Sequence, residues 1–180
     1  MTRVLYFFLA LFIVAISYGV YTQVTKESIK SKRVVCQNKT TTFERIYSKQ
    51  NIQKAKKLLL TSNYDLHLTI DYSKYMPSNL KTIINKEKLE TMIKDIISNY
   101  EDTNKSSENN LQIDAYLYEN DKEDKGKKSK KAKLYAGYIV FEFKLNNKSI
   151  YKIQTDYMHL DASDLEDRIN CSIKSFVSLK

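Results

Sequence analysis

The sequence predicts an α+β fold: an N-terminal apolar segment, a transmembrane helix or signal segment, followed by one small domain. That domain is a mainly antiparallel four-stranded sheet covered by helices, in the order α-β-α-β-β-β-α. Three observations carry this expectation. Residues 4–25 hold no charged side chain. Four later stretches alternate apolar and polar residues with a period of two, as half-buried strands do. Three other stretches, interleaved with them, repeat apolar residues at the three- and four-residue spacing of a helix face.

The first segment, VLYFFLALFIVAISYGVY, offers no polar side until Ser17, and as a helix it would reach across roughly 30 Å of hydrocarbon. A helix that is apolar all round has to be buried in protein or in lipid. Thr2 and Arg3, the apolar run and the small residues Ser17 and Gly19 also have the layout of a cleavable signal peptide. Tyr18, Val20 and Tyr21 continue the run beyond such a site, which favours an uncleaved anchor over residues 1–25, with the membrane as partner of residues 4–25. Lys26, Lys30, Lys32 and Arg33 follow the segment and only Arg3 precedes it, so the positive-inside rule places the domain in the cytoplasm. Lysine is frequent along the whole chain, however, and a single N-terminal span is a common export signal. The reading leans to a single-pass protein with its domain outside the cytoplasm, or a secreted or periplasmic one after cleavage.

Residues 26–42 are polar and read as a stem; residues 43–180 form the domain. Ser48 caps a first helix over 49–60, whose Ile52, Ala55, Leu58 and Leu59 share a side. Residues 64–72 alternate as a first strand, Pro77 breaks the following loop, and Asn85 caps a helix over 86–100 with Leu89, Met92, Ile93, Ile96, Ile97 and Tyr100 as its stripe. A second strand starts at Leu111. Residues 119–133 carry seven lysines and four acids around Gly126, too hydrophilic to pack, and read as a flexible charged hairpin tip. A third strand over 134–145, interrupted by Gly137, turns at Asn146-Asn147 into a fourth over 150–157. Ser163 and Glu166 form a capping box for the last helix, striped by Leu165, Ile169, Ile173, Phe176 and Val177.

Enzyme chemistry finds little support. The two histidines, His67 and His159, lie apart and have no companion ligands, so no metal site and no cofactor is expected. Gly126-Lys127-Lys128-Ser129 lacks the earlier glycine of a phosphate loop. Asp156, Asp161, Asp164, Glu166 and Asp167 could supply paired carboxylates for acid–base work, but most of them sit where a helix start favours negative charge anyway.

What remains are surfaces. The net charge of +9 favours an acidic or anionic partner, although the lysines are spread and arginine is scarce. Lys125, Lys127, Lys128, Lys130, Lys131 and Lys133 form the most concentrated basic stretch and are the candidate partner-binding residues. They lack the interleaved aromatics of a nucleic-acid stacking platform, so nucleic acid is the weaker choice of partner. Tyr116, Tyr118 and Tyr138 are candidates for an exposed tyrosine face. Cys36 and Cys171, near opposite ends of the domain, suit one long-range disulfide in an oxidising compartment. The resulting expectation is a membrane-anchored or exported, non-enzymatic protein that binds another, unknown protein as an envelope assembly component or inhibitor. The alternative is a cytoplasm-facing basic domain that binds nucleic acid or anionic lipid.

Overall fold

The computed structural model describes residues 30–101, 110–126 and 134–180, together with Tyr6, Phe8, Leu9 and residues 11–18. Five strands form one sheet: β1 (Thr42–Ile46), β2 (Tyr64–Asp71), β3 (Leu111–Glu119), β4 (Gly137–Leu145) and β5 (Lys148–Tyr157). Their spatial order is β1-β5-β4-β3-β2, with β2 parallel to β3 and every other pair antiparallel. The helices are α1 (Ile52–Leu60), the single turn α2 (Leu80–Ile83), α3 (Lys86–Ser98) and α4 (Leu165–Val177).

The α+β class is as expected, but the sheet has five strands where the sequence predicts four. The additional strand is β1, which pairs along the outer edge of β5 from Thr42↔Thr155 to Ile46↔Tyr151. Its inward positions include Thr42 and Glu44, so no apolar alternation announces it. Glu44 points inward because Arg33 binds it through two nitrogens, at 3.0 and 2.9 Å, and the buried Tyr151 donates its hydroxyl to it. An ion pair with these hydrogen bonds fills a core-facing place that an apolar residue would otherwise occupy.

Alternation in β3 and β4 is complete: Leu111, Ile113, Ala115 and Leu117 pack inward, as do Ile139, Phe141, Phe143 and Leu145. The apolar stripes of α1, α3 and α4 close over that face, and Phe143 stacks on Phe176 of α4 with ring centroids 3.9 Å apart. Asn85 caps α3 by accepting from Lys88 N. Asn146 and Asn147 both take the positive φ that a tight β4–β5 hairpin requires. The box expected at Ser163 is not used: α4 begins after Asp164, and the Ser163 hydroxyl meets His159 Nδ1 at 2.8 Å instead.

The polar stretch read as a stem is part of the body from Lys30 onward. Lys30 bridges to Phe43, Ser31 N donates to Thr42 O, and a short 3-10 turn (Val35–Lys39) buries Gln37 against Ser175 of α4. Arg33 reaches Ser175 O and Ser178 Oγ. Beside these contacts Cys36 and Cys171 are joined by a disulfide, their Cα atoms 5.8 Å apart, inside the span that a bridge needs. Among the described residues no helix is long and apolar enough to cross a membrane. The described part of the apolar segment is helical, and its large side chains, from Tyr6 to Tyr18, are half or more exposed.

Candidate interaction surface

Because all three long helices pack on one side, the other side of the sheet is left open, and strand register fixes which residues share it. One row across it runs Arg45, Lys152, Glu142, Asp114, His67. Lys152 and Glu142 approach to 3.4 Å, His67 and Asp114 to 3.3 Å, and Lys144 bridges Asp114 and Glu142. Against the cost of its partial burial, hydrogen bonds from Lys144 and Gln112 hold Asp114 below the usual carboxylate range. The row is a lattice of paired polar side chains across the open face.

Toward the β4 start the face changes character. Tyr138 lies opposite Tyr118, with Asp156 and Asp71 at the two ends of their row. The Tyr118 and Tyr138 rings stack at 4.7 Å, Tyr116 joins them at 6.1 to 6.5 Å, and Tyr135 is 6.4 Å from Tyr138. All four tyrosines are half-buried. Burial and the hydrogen bond that Tyr116 donates to Asp71, at 3.1 Å, both push its phenol up, so it stays a neutral donor. Val140 and Phe43 continue the patch toward β1. The uncovered sheet face thus carries a cluster of tyrosines, each with an apolar body and a polar tip.

The acidic candidates do not converge on a cleft. Asp164 accepts from Met158 N at 3.0 Å, His159 N at 3.2 Å and Arg168. Against the cost of burial those amides and the guanidinium hold it below the usual range. Asp161 accepts from Ser163 N, and Asp167 lies 3.8 Å from Lys39 at an exposed site. Glu166 faces the groove between α3 and α4. Only Asp156, at the end of the tyrosine row, is pushed up, to about 6, chiefly by burial. Among the described residues no group of histidine, cysteine and carboxylate side chains is placed to hold a metal ion.

The chain matches no known protein family, no characterised protein and no solved structure.

Of the lysines proposed to bind a partner, Lys125 sits exposed in the turn after β3, and Lys127, Lys128, Lys130, Lys131 and Lys133 lie outside the described residues. Two carboxylates that the sequence reading assigns to the hydrophilic tip organise this end of the sheet instead. Glu119 accepts from Ser73 N, Leu80 N and Ser78 Oγ, and Asp121 from Lys74 N and Tyr75 N. Their partners are some 40 residues distant in sequence, so no local pattern marks them.

Asp156 yields a testable pH dependence. Its folded pKa is raised above the unfolded value, so the native state holds the proton more tightly. Its penalty is absent below the unfolded value near 4, and stability falls as pH rises from there through about 6. Asp156→Asn is therefore expected to stabilise the domain at pH 7.5 by on the order of 2 kcal/mol and to be neutral near pH 4. Urea denaturation of both proteins across that range measures this, and an equal gain at both ends would contradict it.

Proposed function

We propose that this chain is a non-enzymatic, membrane-tethered protein whose domain binds another protein through its open sheet face. The observation that carries the reading is the half-buried cluster of Tyr116, Tyr118, Tyr135 and Tyr138 on the side of the sheet that no helix covers. Binding surfaces concentrate such rings, because each brings a large contact area for little side-chain entropy. The scattered acids support the same reading, since each described one except Asp156 serves a backbone amide, an ion pair or open solvent.

The Cys36–Cys171 disulfide supports a location where thiols oxidise, hence a domain outside the cytoplasm. The exposed helical apolar residues between Tyr6 and Tyr18 support lipid as their surroundings. A cytoplasmic basic domain gains from the lysines and loses by the disulfide. The test is a photo-crosslinking residue placed in the full chain at Tyr138, in the cells that express it, with Lys54 on the outer side of α1 as reference. A discrete adduct is expected at position 138 and none at 54. No adduct at 138, or equal adducts at both, would remove the open face as the binding surface.

A further inference from the structure

One end of the sheet gathers the start of β1, the ends of β2, β3 and β5, and the start of β4. This is the end at which the chain enters, since Lys30 bridges to Phe43 and Ser31 donates to Thr42 O. The apolar segment closes at residue 25, five residues before Lys30. Even a fully extended chain gives those five residues a reach of only about 17 Å. If residues 4–25 sit in a bilayer, this end of the domain must stand close to its surface.

The loops at this end carry side chains suited to that position. Tyr75 is 66 % exposed, Leu134 69 %, Met158 41 % and Leu160 45 %. From residue 30 onward they make up four of the seven described large apolar residues that are exposed; the opposite end of the sheet has only Ile46 and Tyr47. Hydrogen bonds hold the described backbone beside three of them. The Asp121 carboxylate accepts from the amides of Lys74, at 2.7 Å, and Tyr75, at 2.6 Å. Asp164 accepts from Met158 N, and Asn120 Nδ2 donates to Tyr135 O at 2.8 Å beside Leu134. The backbone is thus tied at Tyr75, at Met158 and next to Leu134, while Leu160 follows His159, whose amide donates to Asp164 and whose carbonyl accepts from Ala162 N. Lys30, Lys32 and Lys39 line a depression of about 340 Å³ together with Met158, and Lys74 flanks Tyr75. Lysines whose stems lie on apolar surface while their ammonium groups reach headgroup phosphates are a usual neighbour of tyrosine and leucine at a bilayer interface.

The geometry points to a membrane-docking surface at this end of the sheet, with Tyr75, Leu134, Met158 and Leu160 dipping into the lipid interface around the anchor. The inference rests on the tethering part of the function proposed above. It also sets an orientation: the strands stand away from the bilayer, and the tyrosine face is turned sideways, open to a partner that is itself in the membrane or beside it.

The chain contains no tryptophan, so single substitutions report position directly. The full chain is reconstituted into vesicles of phosphatidylcholine and phosphatidylglycerol with brominated acyl chains, carrying Leu134→Trp, Leu160→Trp or, at the far end, Tyr47→Trp. Quenching at 134 and 160 several-fold above that at 47, with blue-shifted emission, is expected. A chain that stays in the vesicles through an alkaline wash but shows equal, weak quenching at all three positions would overturn the docking and leave the tether standing. A chain released by that wash would remove the tether, and the docking with it. Circular dichroism confirms that each variant is folded, and the two docking positions, on separate loops, guard against a local effect of either tryptophan.

Discussion

Reducing the Cys36–Cys171 bond, or replacing both residues with serine, is expected to lower the stability of the domain by about 5 kcal/mol, the chain-entropy value for so long a closed loop. That is a large share of the stability of an ordinary domain. The bond joins the turn before β1 to the middle of α4, a sequence separation of 135 residues, so it restricts nearly the whole domain in the unfolded state. Its loss should leave the native architecture in place, because Arg33 still holds Glu44 and Ser175 O, and Gln37 still donates to Ser175 Oγ. Urea denaturation with and without reductant measures the change. Hydrogen exchange over residues 30–42 should rise in the reduced protein and remain low in β3 and β4. An unchanged midpoint, with unchanged exchange near Cys36, would show that the polar contacts alone secure this segment. A fall of the expected size would also count toward the proposed location, since a domain that loses so much on reduction is suited to a compartment in which thiols oxidise.

How much of this could be read from the chain depends on where each element's partners lie. The strands β2 to β5 and the helices α1, α3 and α4 were legible because each buries one face of apolar residues, and periodicity follows from one-sided burial. The edge strand β1 was hidden because its inward positions are Thr42 and Glu44. Their partners Thr155, Arg33 and Tyr151 turn polar residues into interior ones, which no window around 42–46 reveals. The segment 30–41 read as a stem for the same reason: its lysines face solvent, while Arg33, Cys36 and Gln37 reach α4 more than 130 residues later. Tyr116, Tyr118 and Tyr138 could be placed on one face from strand parity. That this face would stay open required knowing that all three long helices cross the other side. Glu119 and Asp121 looked like the start of a charged hairpin tip, yet they are anchors for the loop after β2.

Gly137→Ala is expected to destabilise the domain by about 3 kcal/mol, the upper part of the range for overpacking a tight interior. The cause is space, since the backbone there does not take the positive φ that favours glycine. A Cβ at this position would lie 2.1 Å from Tyr118 O and 2.3 and 2.4 Å from Oη and Cζ of Tyr157. The Tyr157 ring is buried and its hydroxyl donates to that same Tyr118 carbonyl, so neither neighbour can swing aside cheaply. Gly126 provides the control. It lies in an exposed turn, and its nearest contact would be a carboxylate oxygen of Asp124 at 3.2 Å, the far end of a side chain that can move. Gly126→Ala should therefore shift the urea midpoint little, within the usual half kcal/mol or so of a surface change. Equal midpoints for the two variants would mean that β3, β4 and β5 do not meet this closely at Gly137. The consequence reaches the candidate surface, because the strand pairing that Gly137 permits is what brings Tyr138 over Tyr118. A Gly137→Ala protein that still folds should therefore lose crosslinking at position 138 along with its stability.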